Sequence, residues 1–144
     1  MKILFKPQTE WLPPQDFPDL SKYDEIAIDL ETKDPNLNKR MGSGSVVGEG
    51  DVVGISLATY DWCAYYPIAH EGGGNMDRKM VLKWLQDQLN TPATKIFHNA
   101  MYDVCWLRAL GLKISGRIVD TMIAASLVDE NRFRYDLNGC GRDY

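Results

Sequence analysis

The stretch Ile26-Ala-Ile-Asp-Leu-Glu31 decides the fold: an apolar run that ends in two carboxylates one residue apart. Side chains alternate across a strand, so Ile26, Ile28 and Leu30 point to one face while Ala27, Asp29 and Glu31 point to the other. Two acids thus share one face at one end of a strand. Neighbouring like charges beside hydrophobic residues need compensation, and a hard divalent cation supplies it. Magnesium and manganese prefer carboxylate oxygens, and magnesium commonly takes one or two of them together with water and substrate phosphate. The stretch points to phosphoryl-transfer chemistry. Taken alone it fits a solvated strand end as well.

The 144 residues suffice for one domain with a real core, and 44% hydrophobic with 25% charged residues is an ordinary globular composition that excludes disorder. There is no apolar run long enough to cross a bilayer and no basic-then-apolar leader, so the chain is expected to be soluble and intracellular, without a membrane partner. Cys63, Cys105 and Cys140 are odd in number and far apart, which argues against a disulfide framework or a zinc cluster. A net charge of −4 argues against coating long stretches of nucleic-acid backbone, but it permits gripping a few nucleotides at one end.

Outward from the central stretch, Lys2 to Phe5 reads as a short strand. Pro7, Pro13, Pro14 and Pro18 then exclude regular structure, giving an N-terminal arm over 1–20 and a domain over 21–144. Trp11, Leu12 and Phe17 are expected to pack the arm onto the domain. Thr32 to Gly50 is polar and glycine-rich and reads as a mobile loop. Asp51–Thr59 and Trp62–Ile68 read as a hairpin, and Asp77 precedes an amphipathic helix carrying Val81, Trp84, Leu85 and Leu89. Thr94–Phe97 is a short strand that turns at His98-Asn99 into a second helix, with Gly111 as its stop. Ser115–Val119 is a strand leading through Asp120-Thr121 into a third helix. A meander followed by strand-helix-strand-helix implies an α/β mixed five-stranded sheet, antiparallel then parallel, flanked by helices.

His98-Asn99-Ala-Met-Tyr102-Asp103 sits where a strand gives way to a helix. Asn99 is a good N-cap there, and Asp103 suits the first turn, where the helix dipole favours it. If this strand lies parallel to the central one, their carboxyl ends adjoin and Asp103 enters the crevice that holds Asp29 and Glu31. Three acids at one crevice point to a metal site.

In these two segments the sequence resembles the 3′–5′ proofreading exonuclease domain of family A DNA polymerases, within the DnaQ-like DEDD exonucleases of RNase H-like fold. Asp29-Leu-Glu31 resembles the first exonuclease motif, D-x-E, and Asn99-Ala-Met-Tyr102-Asp103 the second, N-x-x-[FY]-D. The likeness runs from about Ile26 to Tyr144 and includes Tyr66-Pro-Ile-Ala-His70 and Val119-Asp-Thr-Met122. It implies two divalent cations, Mg2+ or Mn2+, with Asp29 bridging both, Glu31 on the ion that activates water and Asp103 on the second. It further implies that Thr32, His98, Asn99 and Tyr102 contact the terminal nucleotide, with Asp120 in a supporting position or serving as a helix cap. The implied substrate is a single-stranded DNA 3′ end, and the implied partner is the polymerase domain of the same parent chain. If Met1 is a native start, no 5′ nuclease domain is expected upstream.

The family's third motif, Y-x-x-x-D, has no counterpart here, because Tyr135 is followed four residues on by Gly139. The expectation is therefore a C-terminally incomplete exonuclease domain with weak turnover. Two rivals are a degenerate exonuclease-fold module that binds a single strand or a protein without catalysis, and an internally cutting RNase H-like nuclease using Asp120 or Asp136 as its fourth acid.

Overall fold

The computed structural model describes residues 11–39 and 43–144. Its elements run in the order β1 (Glu25–Lys33), α1 (Gly44–Val47), β2 (Asp51–Ala58), β3 (Cys63–Pro67), α2 (Arg78–Leu89), β4 (Thr94–Phe97), α3 (Ala100–Ala109), β5 (Ile118–Asp120), α4 (Thr121–Val128) and α5 (Leu137–Asp143). Five strands form one sheet in the order β3-β2-β1-β4-β5. The first three are antiparallel, while β4 and β5 join parallel to β1, as the element order implies.

Alternation along β1 sorts the two faces. Ile26, Ile28 and Leu30 are buried with Ile55, Leu57 and Tyr66 against Val81, Trp84 and Leu85 of α2 and Trp106 and Leu107 of α3. Removing this apolar area from water is the main source of stability. The opposite face carries Ala27, Asp29, Ser56, Ala58 and Tyr65, and forms a groove of about 560 Å³ bordered by Trp11, His98, Thr121 and Leu137.

Three local expectations change. Thr32 and Lys33 belong to β1, and the segment after them contains α1. Asp34 organises this segment by accepting the amides of Asn36 at 2.9 Å and Gly44 at 3.0 Å, so a loop rich in glycine is pinned by one carboxylate. The last strand is shorter than expected, Ile118–Asp120. Gly116 turns there with φ 82°, and an added side chain would meet the carbonyls of Pro92 and Ala93. In the arm, Phe17 stacks on Tyr66 at 5.6 Å and the Trp84 indole donates to the Pro18 carbonyl at 2.8 Å, whereas Leu12 stays exposed. The expected strand Lys2–Phe5 lies outside the described residues. No helix among the described residues is long and apolar enough to cross a membrane, and all three cysteines are free.

Candidate active site

Asp29 lies on the groove face of β1, half-buried, with His98 lining the same groove. Pairing between β1 and β4 extends over Glu25 to Ala27 only, so beyond Ala27 the strand edge is open to α3. Asp103, in the first turn of α3, fills that opening and is 3% exposed. Burial pushes its carboxyl up to about 7, the charge of Asp29 adds to the rise, and the Leu30 amide opposes it. Asp29 is itself raised by burial, with His98 acting in the opposite direction. The charge of Asp29 therefore reaches Asp103 at the end of β1 and makes it harder to ionise.

Glu31 occupies the same strand face but is exposed, and the β1–β2 register shifts between Glu31 and Thr32. A bulge at this point changes the direction in which side chains leave the strand. Among the described residues no three His, Cys, Asp or Glu side chains are grouped closely enough to hold a metal ion. Glu31 lies two residues beyond Asp29 on the same strand face, and Asp103 enters from the first turn of α3. Asp29 and Asp103 still suit a hard divalent cation: both donors are carboxylate oxygens, and both sit in an environment that disfavours their charge without one.

Thr32 Oγ1 lies 2.7 Å from the Tyr102 hydroxyl, which also donates to Asp34 at 3.1 Å. Tyr102 is half-buried and ties the end of β1 to the segment after it. His98 is locked between Thr121 Oγ1 at 2.9 Å and the Tyr135 carbonyl at 2.6 Å. The nitrogen facing that carbonyl, Nε2, must carry a proton.

Asn99 does not cap α3 through its side chain. It adopts the left-handed conformation, φ 68° and ψ 56°, with no side-chain cap bond. Asp120 does this work instead, accepting the amides of Asn99 at 3.0 Å and Ala100 at 2.8 Å while capping its own helix through Met122 at 2.9 Å. Burial alone would raise Asp120, but these amides outweigh it and hold the carboxyl below the usual carboxylate range. Asp136 likewise caps α5 through the Gly139 amide at 3.0 Å.

The five-stranded mixed sheet, an antiparallel meander extended by two parallel strands, has the RNase H-like fold. Residues 15–139 match the 3′–5′ exonuclease family, and the chain belongs to it. It is 30% identical over 135 residues to a DNA-directed DNA polymerase of Pseudomonas phage M6, covering 90% of this chain and 20% of the polymerase. Over 89 residues it is 35% identical to DNA polymerase I of Chloroflexus aurantiacus, covering 60% of this chain and 9% of that protein. Among solved structures it resembles Brucella melitensis NrnC with bound Mg2+, with a TM-score of 0.54 at 20% identity, covering 88% of this chain and 55% of that one. The chain spans about a fifth of the phage polymerase or less of its bacterial relative.

Proposed function

We propose that this chain is the proofreading domain of a DNA polymerase, removing nucleotides from single-stranded 3′ ends. The observation that carries this reading is the buried Asp103 at the start of α3, on which the charge of Asp29 in the central strand acts. Asp29, Glu31 and Asp103 would hold two divalent ions, Mg2+ or Mn2+; that a protein of similar fold is known with bound Mg2+ supports this. Such a pair, when bound, supplies water that ionises near neutral pH and countercharge for the departing 3′ oxygen.

The chain's own groups orient the substrate. His98, Asn99, Tyr102 and the backbone at Thr32 border the end of β1 and would receive the terminal sugar and base. Sequence-tolerant contacts of this kind suit a frayed single strand. Asp120 supports the site from behind by fixing the start of α3. With three acids rather than four, these 144 residues are expected to turn over slowly, and the polymerase domain of a longer parent chain is the expected partner.

A second reading, a non-catalytic module of the same fold, is favoured by one observation: among the described residues no three His, Cys, Asp or Glu side chains are grouped closely enough to hold a metal ion. Calorimetric titration with Mn2+ and hydrolysis of a 5′-labelled single strand decide between the two. The exonuclease reading expects Mn2+ binding that Asp29→Ala abolishes, release of single nucleotides from linear DNA and none from a circle. Mn2+ binding indifferent to Asp29→Ala, or none, would favour the module, and cleavage of the circle would favour an internally cutting nuclease.

A further inference from the structure

Tyr65 lies on the same sheet face as both acids of β1. Its backbone pairs with Ser56, which pairs with Asp29, so Tyr65 and Asp29 stand in one row across three strands. Its ring leans one row further, across Gly54, whose partner on β1 is Glu31. A Cβ on Gly54 would collide with the Tyr65 hydroxyl and ring, so the absence of a side chain there is what lets the phenol reach over. Burial raises this phenol, and the Glu31 charge adds to the rise.

The far side of the hydroxyl is held deliberately. Ile68 and Ala69 both donate to the Val53 carbonyl, at 2.8 and 3.1 Å, which ends β3 and turns the chain back. His70 then presents Nε2 to the Tyr65 hydroxyl. Asn75 clamps His70 from both ends of its peptide group, accepting its amide at 2.7 Å and donating to its carbonyl at 2.9 Å. Next to it, Glu71 pairs with Lys33 at the end of β1, which keeps this turn beside Glu31.

We propose that Tyr65 is a positioning residue for Glu31: its hydroxyl, held over Gly54 by its bond to His70, would donate to the Glu31 carboxylate when metal is bound and turn it toward Asp29 and Asp103. A carboxylate only accepts and a phenol has one proton, so His70 Nε2–H must be the donor to the Tyr65 oxygen. The inference rests on the metal-site reading and supplies what that reading lacks, a group that directs the exposed Glu31. Partners that orient ligands in this way are typically worth roughly 10–100-fold in metal affinity or activity.

The test is Mn2+ titration of the 144-residue chain by calorimetry, which needs no turnover. Tyr65→Phe keeps the ring on Gly54 and is expected to weaken Mn2+ binding about tenfold, with an unchanged metal-free melting temperature. His70→Leu should match it, and His70→Gln, which retains a donor, should recover most of the loss. Where turnover is measurable, kcat should fall with KM unchanged. Binding lost in Asp29→Ala but unchanged in Tyr65→Phe would overturn the role of Tyr65 alone. Binding indifferent to Asp29→Ala would overturn the metal-site reading, and the role of Tyr65 with it.

Discussion

The carboxylate of Asp120 accepts the amide of Ala100 at 2.8 Å, so the helix that bears Asp103 starts on a cap supplied by a neighbouring strand. The same carboxylate caps α4, and two helix starts therefore depend on one side chain. Losing a cap costs about 1 kcal/mol, so Asp120→Ala should destabilise the chain by roughly 2 kcal/mol and Asp120→Asn by less. The sign with pH follows from the lowered carboxyl of Asp120. Its contribution is present above the unfolded value of about 3.9 and is lost as pH falls through the folded one. Urea unfolding at pH 7 and pH 3 should show the full wild-type advantage over Asp120→Ala at the higher pH and a smaller one at the lower.

Asp103 behaves in the opposite sense. Burial first and then Asp29 hold its carboxyl up to about 7, so between about 4 and 7 the unfolded chain ionises this group while the folded chain keeps it protonated. Metal-free stability should fall across that window as pH rises, and Asp103→Asn should remove the fall. At pH 8 without metal the variant should melt roughly 5 °C or more above the wild type, and at pH 4 the two should agree. In Mn2+ the order should reverse, because only the wild type gains stability from a bound ion. Thermal melts with and without EDTA provide the check.

Those two acids also mark how far the sequence could be read. The alternation of Ile26-Ala-Ile-Asp-Leu-Glu31 and the run Thr94–Phe97 placed β1 and β4, because a period of two and a turn at His98-Asn99 are local signals. That the carboxyl ends of β1 and β4 lie side by side followed from parallel pairing alone. What stayed hidden depends on register or on distant donors. Asn99 looked like a cap from its neighbours, yet the cap comes from Asp120, 21 residues along the chain. The glycines after Thr32 looked loose, yet Asp34 gathers the amide of Gly44, ten residues on. The placement of Tyr65 over Gly54 depends on which residue faces which across two strand pairs, and no local pattern encodes that.

Asp34 should govern the order of the segment after β1. Burial would raise its carboxyl, but the Gly44 and Asn36 amides and the Tyr102 hydroxyl outweigh that and hold it low. Asp34→Ala removes the acceptor for all three, leaving α1 tied mainly by the Asn36 to Glu49 bond at 2.7 Å. Limited proteolysis should cut between residues 34 and 50 several-fold faster in Asp34→Ala than in wild type. Tyr102→Phe, which spares both amide bonds, should be cut at nearly the wild-type rate. Equal rates in all three proteins would show that the carboxylate does not order this segment.

Lys95 is fully buried on β4, and among the described residues its ammonium has no carboxylate partner within ion-pairing distance. Its donors go instead to oxygens: the Thr91 carbonyl, the Ala93 carbonyl at 2.9 Å, the Ser115 carbonyl at 3.0 Å and Thr91 Oγ1 at 3.3 Å. These acceptors belong to the turn after α2 and the turn before β5, so one side chain joins the two loops that flank the parallel edge of the sheet. Methionine matches the length of lysine and keeps its apolar stem, but it offers no donor to the carbonyls left behind. Each buried acceptor left unpaired costs about 1–3 kcal/mol, and the relief from no longer burying a charge offsets only part of that. Lys95→Met should therefore lose on the order of 2 kcal/mol of stability, with the loss concentrated at β4 and β5. Hydrogen exchange should locate it, as faster exchange of the amides of Lys95 and of the β5 residues while β1 and β2 keep their protection. A variant as stable as wild type would mean that packing of the stem, rather than the ammonium, holds these turns together.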